Sequence, residues 1–197
     1  MTGAPEDGPP AGREAARSAR RAALIESVSD HILAHGLGAA TLRDLGAAAG
    51  TSDRMLLYYF ADKSDLVEAA LDTLARRLTA GLDALRAPVP LDEDALRARL
   101  VPAALDPAFA PFMRLWLEMA AAAARGDAVC HATGRRIAQS FLDWIEAQLA
   151  PEDGRVRRMA AARILAAVEG LIVLRAVGFD GCVEAVVQGQ PARSSSA

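Results

Sequence analysis

The chain has 197 residues, 52% of them hydrophobic and 24% charged, with a net charge of −3, which is enough apolar content for one or two cored domains. Its longest apolar runs are cut by Arg163, Glu169 and Arg175, well short of the roughly 20 residues of a membrane span, and MTGAPEDGPPAG at the start lacks the basic and apolar regions of a secretory signal. A cytoplasmic location with no membrane partner is expected, and Cys130 and Cys182, without CxxC spacing, fit a reducing compartment better than a disulfide framework.

Ala, Leu, Arg and Glu dominate and aromatics are 5%, so the preference is helical almost throughout and the expected fold class is all-α. Residues 1–12 read as a disordered tail. A first helix is predicted over 13–35, where Leu24, Ile25, Val28 and Ile32 recur at helical intervals before Gly36 and Gly38. Arg13, Arg17, Arg20 and Arg21 stand against Glu14 alone along one stripe of it, either a cationic strip or a solvated face. His31 and His35 are one turn apart without a third ligand, which favours a helix-dipole role over a metal site.

Thr41, with Asp44 three residues on, opens a short second helix whose Leu42, Leu45 and Ala49 mark its buried side and which ends at Gly50. Ser52 caps a third helix running to Tyr59, and Asp62 caps a fourth with the apolar stripe Leu66, Ala70, Leu74, Leu78 and Leu82. Beyond Pro88 and Pro90, helices are predicted over 92–104, from Pro111 to Arg125, and over 128–149, 156–177 and 182–188, followed by a disordered tail at 189–197.

Two short helices around a glycine turn match a helix-turn-helix unit, whose second helix enters the DNA major groove. Leu45, Ala48 and Leu56 are placed to close the small core between them. Arg43 and Arg54 can each donate a bidentate pair to guanine, worth ~1–3 kcal/mol of discrimination, and Met55 can pack on a thymine methyl. Tyr58, Tyr59 and Lys63, the chain's only lysine, suit phosphates. Arg13, Arg17, Thr41 and Ser52 complete the expected DNA-binding set. Asp53 is the awkward member, because phosphate repels it unless it pairs with Arg54 or stays on the helix cap.

The segment TLRDLGAAAGTSDRMLLYYFADKSDL, 41–66, resembles the DNA-binding region of TetR/AcrR-family transcriptional regulators, through Arg43, Gly50, Ser52, Leu56, Tyr59, Phe60, Lys63 and Leu66. The resemblance implies that Arg43 reads bases, that Arg54, Met55 and Tyr58 lie on the recognition helix, and that Tyr59 and Lys63 hold phosphates. Leu57 departs from the family's usual Tyr and Asp53 from a neutral or basic residue, so a backbone contact is missing and Leu57 is left to a thymine methyl or to the first helix. The motif covers about a quarter of the chain.

The implied organisation is a helix-turn-helix DNA-binding domain at 13–62 and a helical ligand-binding and dimerisation domain at 63–188. It implies a double-stranded DNA operator, a small-molecule effector and a homodimer built from the last two long helices. Ile145, Leu149, Ile164, Val168, Leu171 and Ile172 are the interface candidates, since 164–175 is apolar nearly all round. Met113, Trp116, Leu117 and Phe141 are pocket candidates, although such a stripe equally reads as core. Glu169, with apolar Leu165 and Val173 one turn away, must pair, bind a cation or titrate, and it faces the pocket or the dimer seam. No catalytic constellation, metal cluster or cofactor motif stands out, and His131 beside Cys130 lacks an orienting acid. The expected function is a ligand-responsive repressor released from a palindromic operator; the alternative is a helical protein-interaction scaffold that has lost DNA binding.

Overall fold

The computed structural model describes residues 10–151 and 153–189. The expected tails at 1–12 and 189–197 lie outside them, except that Pro10 to Gly12 are helical and Gly189 follows the last helix. Nine α-helices and no strands are found among the described residues: α1 (Pro10–His35), α2 (Leu42–Ala48), α3 (Asp53–Tyr59), α4 (Lys63–Asp83), α5 (Glu93–Ala104), α6 (Ala110–Ala124), α7 (Ala128–Glu146), α8 (Gly154–Ala176) and α9 (Asp180–Gln188). The chain divides into two compact units between Thr73 and Leu74, inside α4.

The first unit is built on Leu24, Val28 and Ile32 of α1, which are buried with Leu45 of α2, Leu56 and Phe60 at α3, and Leu66, Val67 and Ala70 of α4. Ser29, fully buried among them, donates its hydroxyl to the Ile25 carbonyl at 2.7 Å and lies 3.3 Å from the Ala70 carbonyl, so α1 and α4 meet without an orphaned polar group. α1 starts at Pro10, three residues earlier than predicted, because proline's fixed φ and missing N–H suit a helix's first turn.

Between α2 and α3 the turn is closed by the backbone. Gly50 takes φ +61°, its N–H donates to the Ala47 carbonyl at 3.1 Å, and the Thr51 N–H donates to the Gly46 carbonyl at 2.9 Å, the two bonds of a Schellman ending. Leu45 and Leu56 are fully buried as expected, but Ala48 is exposed. The tight approach falls at Gly46, where a Cβ would stand 3.0 Å from the Thr51 carbonyl oxygen and 3.1 Å from the Asp53 nitrogen.

The second unit packs Leu96 and Leu100 of α5, Trp144 and Ile145 of α7, Leu149, and Ala160, Ala161 and Ile164 of α8 into one cluster. Val101, Leu171 and Val183 form a smaller cluster. α7 stops at Glu146 instead of 149 because the chain leaves it to pair with Leu91: the Leu91 N–H donates to the Gln148 carbonyl and the Ala150 N–H to the Leu91 carbonyl, at 2.9 and 2.8 Å. The C-terminal end of α4 is held by Asp83, which accepts the Trp144 indole N–H and the Arg86 Nε–H, both at 2.7 Å.

Since the atoms that crowd Gly46 are backbone, Gly46→Ala is expected to cost about 1–3 kcal/mol in urea denaturation. Gly38→Ala, where nothing lies within 4 Å, is the control and is expected to change stability by no more than about 0.5 kcal/mol.

Candidate functional site

α2 and α3 begin on side-chain caps. The Thr41 hydroxyl accepts the Asp44 N–H at 3.2 Å and donates to the Asp44 carboxylate at 2.5 Å, while the Ser52 hydroxyl accepts the Met55 N–H at 3.2 Å. Thr41 is therefore fully engaged within its own helix, whereas Ser52 keeps a hydroxyl proton to donate. Asp53 stays on the N-terminus of α3, its Oδ1 accepting the Arg54 N–H at 2.9 Å, where the helix dipole favours a carboxylate.

Beyond these caps α3 presents Met55, Leu57 and Tyr58, which are 42%, 47% and 60% exposed, so three large side chains face solvent on a seven-residue helix. Arg43, Arg54 and Lys63 are exposed around this face and carry no ion pair among the described residues. The Arg17 guanidinium sits 5.3 Å from the Tyr58 ring centroid, and Tyr58 meets Tyr59 edge-on at 5.1 Å, contacts that restrain both rings.

The arginine stripe of α1 divides. Arg13, Arg17 and Arg20 are exposed, but Arg21 turns inward, 4.6 Å above the Phe60 ring and 3.6 Å from Asp65. The rings of His31 and His35 lie with centroids 4.7 Å apart and planes tilted by 46°, and His31 Nε2 lies 3.4 Å from the Ala39 carbonyl. Among the described residues no group of three His, Cys, Asp or Glu side chains could hold a metal ion, and no helix is long and apolar enough to cross a membrane.

Residues 31–70, which hold α2, α3 and the start of α4, match the family model for bacterial regulatory proteins of the tetR family. This stretch is therefore similar to the DNA-binding region of tetR-family regulators. No curated protein matches the chain in sequence. Its fold is shared with a transcriptional regulator of Rhodococcus sp. Rha1, at TM-score 0.65 and 24% identity over 86% of this chain and 92% of that one. It is shared also with a TetR transcription regulator of Haloarcula marismortui (TM-score 0.61, 17% identity, 87% and 95% covered). A third is the fatty acid degradation regulator FadR of Bacillus halodurans (0.54, 16%, 98% and 100%).

In the second unit, the Trp116 indole N–H donates to Glu169 Oε2 at 2.5 Å, a pairing across 53 residues that no local spacing announces. A cleft of about 260 Å³ opens between α6 and α7, lined by Trp116, Met119 and Ala120 on one side and Cys130, Gly134 and Ala138 on the other, with His131 and Arg135 also in its wall. Of the expected pocket residues only Trp116 lines it. Met113, Leu117, Phe141 and Glu169 are not in its wall. The signal that was available is Gly134 in mid-helix facing a run of alanines. Burial and the Asp127 carboxylate push the Cys130 thiol up to about 11, so it stays protonated at neutral pH and is no nucleophile there.

Most of the expected dimer residues are buried within the chain itself. Ile145, Leu149 and Ile164 belong to the chain's own larger cluster, Leu171 to the smaller one, Ile172 is 6% exposed, and Val168 is half-buried against both clusters. On α8 the apolar side chains left exposed are instead Val156, Met159 and Val173, with small Ala162, Ala166 and Gly170 between them and Val177 beyond. α5 packs on the side of α8 that holds Ile164, where Arg163 of α8 makes a two-pronged pair with Glu93 of α5, at 2.7 and 2.5 Å.

Burial raises the Glu169 carboxyl above its ordinary 4.5, with the Trp116 N–H opposing. A carboxyl so raised keeps its proton in the folded chain where the unfolded chain has lost it. Its contribution to stability is therefore full below about 4.5 and is lost as pH rises through the folded value. Glu169→Gln removes this dependence, so the variant is expected to gain stability relative to wild type from about pH 4 to about pH 7 in denaturant titrations.

Proposed function

We propose that this chain is a homodimeric TetR-family repressor that holds a near-palindromic operator and leaves it when a small-molecule effector binds. The observation that carries the proposal is the outward face of α2, α3 and the start of α4: three cations without ion pairs among the described residues, Arg43, Arg54 and Lys63, around exposed Met55, Leu57 and Tyr58. In this reading Arg43 and Arg54 read guanine edges, and Met55 and Leu57 meet thymine methyls. Tyr58, Tyr59 and Lys63 grip phosphates, with Arg13 and Arg17 of α1 and the Ser52 hydroxyl adding donors. The Thr41 hydroxyl acts through the cap it makes on α2.

The exposed apolar row of α8 supplies a self-complementary seam for two copies, which sets two recognition helices ~34 Å apart, one turn of DNA. The effector acts from residues 63–188, and α4, one helix running through both units, carries its influence to the DNA-binding domain at 13–62. To move an operator-competent population from 99:1 to 1:99, an effector must favour the released conformer by about 10⁴-fold. The work is done on DNA in the cytoplasm.

Selection from a random duplex library by the purified chain is expected to enrich a two-fold symmetric site. Arg54→Ala is expected to lose about 1–3 kcal/mol and relax one position of each half-site. Lys63→Ala is expected to weaken all sequences alike and flatten the log K against log salt slope by about 1.8, one phosphate contact being lost from each protomer. Enrichment of an asymmetric site, or of none at low salt, overturns the proposal.

A further inference from the structure

The cleft between α6 and α7 has a composition that selects its occupant. Its walls are apolar, with Trp116 and Met119 facing Gly134 and Ala138. The polar groups nearest them are already used: the Trp116 N–H is donated to Glu169, and Asp127 accepts the Cys130 backbone N–H at 2.8 Å. What remains polar is Arg135, with His131 beside it, both exposed on α7; Arg135 carries no ion pair among the described residues.

Gly134 adds an independent observation. It sits inside a 19-residue helix, where glycine destabilises relative to alanine, yet its backbone does not need glycine's left-handed region and the nearest heavy atom to a built Cβ is Met119 Cε at 3.8 Å. Neither packing nor conformation demands it. Its missing side chain leaves the space that the cleft occupies.

We infer that this cleft binds a flat aromatic carboxylate, the ring lying between the Trp116 and Met119 wall and the Gly134 face, the carboxylate on the Arg135 guanidinium. A bidentate pair with Arg fixes the orientation, and the apolar slot supplies contact area. The consequence for regulation rests on the effector response proposed above. Trp116 is hydrogen-bonded to Glu169, and Glu169 lies on α8 beside exposed Ala166, Gly170 and Val173. A ring pressed on Trp116 therefore acts on the helix assigned to the dimer seam.

Calorimetric titration of the full chain with 2-naphthoate, 2-naphthalenemethanol and 2-naphthylmethylammonium tests the site without DNA. The expected result is one naphthoate per chain, bound at least about tenfold more tightly than the alcohol and the ammonium. Arg135→Ala is expected to abolish that preference, and Gly134→Leu to weaken naphthoate by more than about tenfold while preserving helicity and melting temperature. Absence of naphthoate binding, or binding indifferent to both variants, overturns the inference and leaves the operator selection untouched as a test of the repressor. Binding as described with no change in operator affinity supports the site and removes its regulatory consequence.

Discussion

The DNA-binding unit depends on how closely the backbones of α2 and α3 approach at Gly46. With a Cβ there, the Thr51 carbonyl and the Asp53 nitrogen would have to move, and the start of α3 would move with them. Gly50 supplies the left-handed turn and Gly46 the clearance, so the two glycines act together. Leu45 and Leu56 then close the small core beneath, and the aim of Arg54, Met55 and Tyr58 follows from that fixed angle. Apart from Arg17 against Tyr58 and the Tyr58–Tyr59 edge contact, the positions of these exposed side chains are inherited from the turn.

What was legible in the sequence was what is local. A helix start is written in a side chain that bonds an N–H two or three residues on, and Thr41, Ser52, Asp62, Asp92, Asp127 and Asp153 all do so. The all-α class and the exposed chemistry of α3 were legible for the same reason. Arg21 was not, because its partners Phe60 and Asp65 lie some forty residues away, and a stripe of arginines carries no mark of which one will turn inward. Gly46 was hidden behind the more conspicuous Gly50, since only a fold reveals which glycine another backbone touches.

α8 shows the limit most clearly. A helix apolar on nearly every side gives periodicity nothing to choose between, and bulk alone does not tell a partner surface from a core. In the folded chain bulk went inward: Ile164, Leu171 and Ile172 fill the unit's own clusters. The outer row keeps alanine and glycine, which allow close approach of another helix, beside exposed valines and Met159. The cleft was missed for a related reason: its walls are made of residues too small to attract notice.

The chain's two tryptophans are built alike. Each indole N–H ends on a carboxylate far away in sequence, Trp144 on Asp83 at the end of α4 and Trp116 on Glu169 in the middle of α8. Indole emission shifts with the charge and hydrogen bonding at its ring nitrogen, so the protein carries two built-in optical probes, one at each helix through which it is proposed to signal. With one tryptophan replaced by phenylalanine, the colour of the other's emission becomes a private readout of one helix, and the two halves of the response can be timed separately.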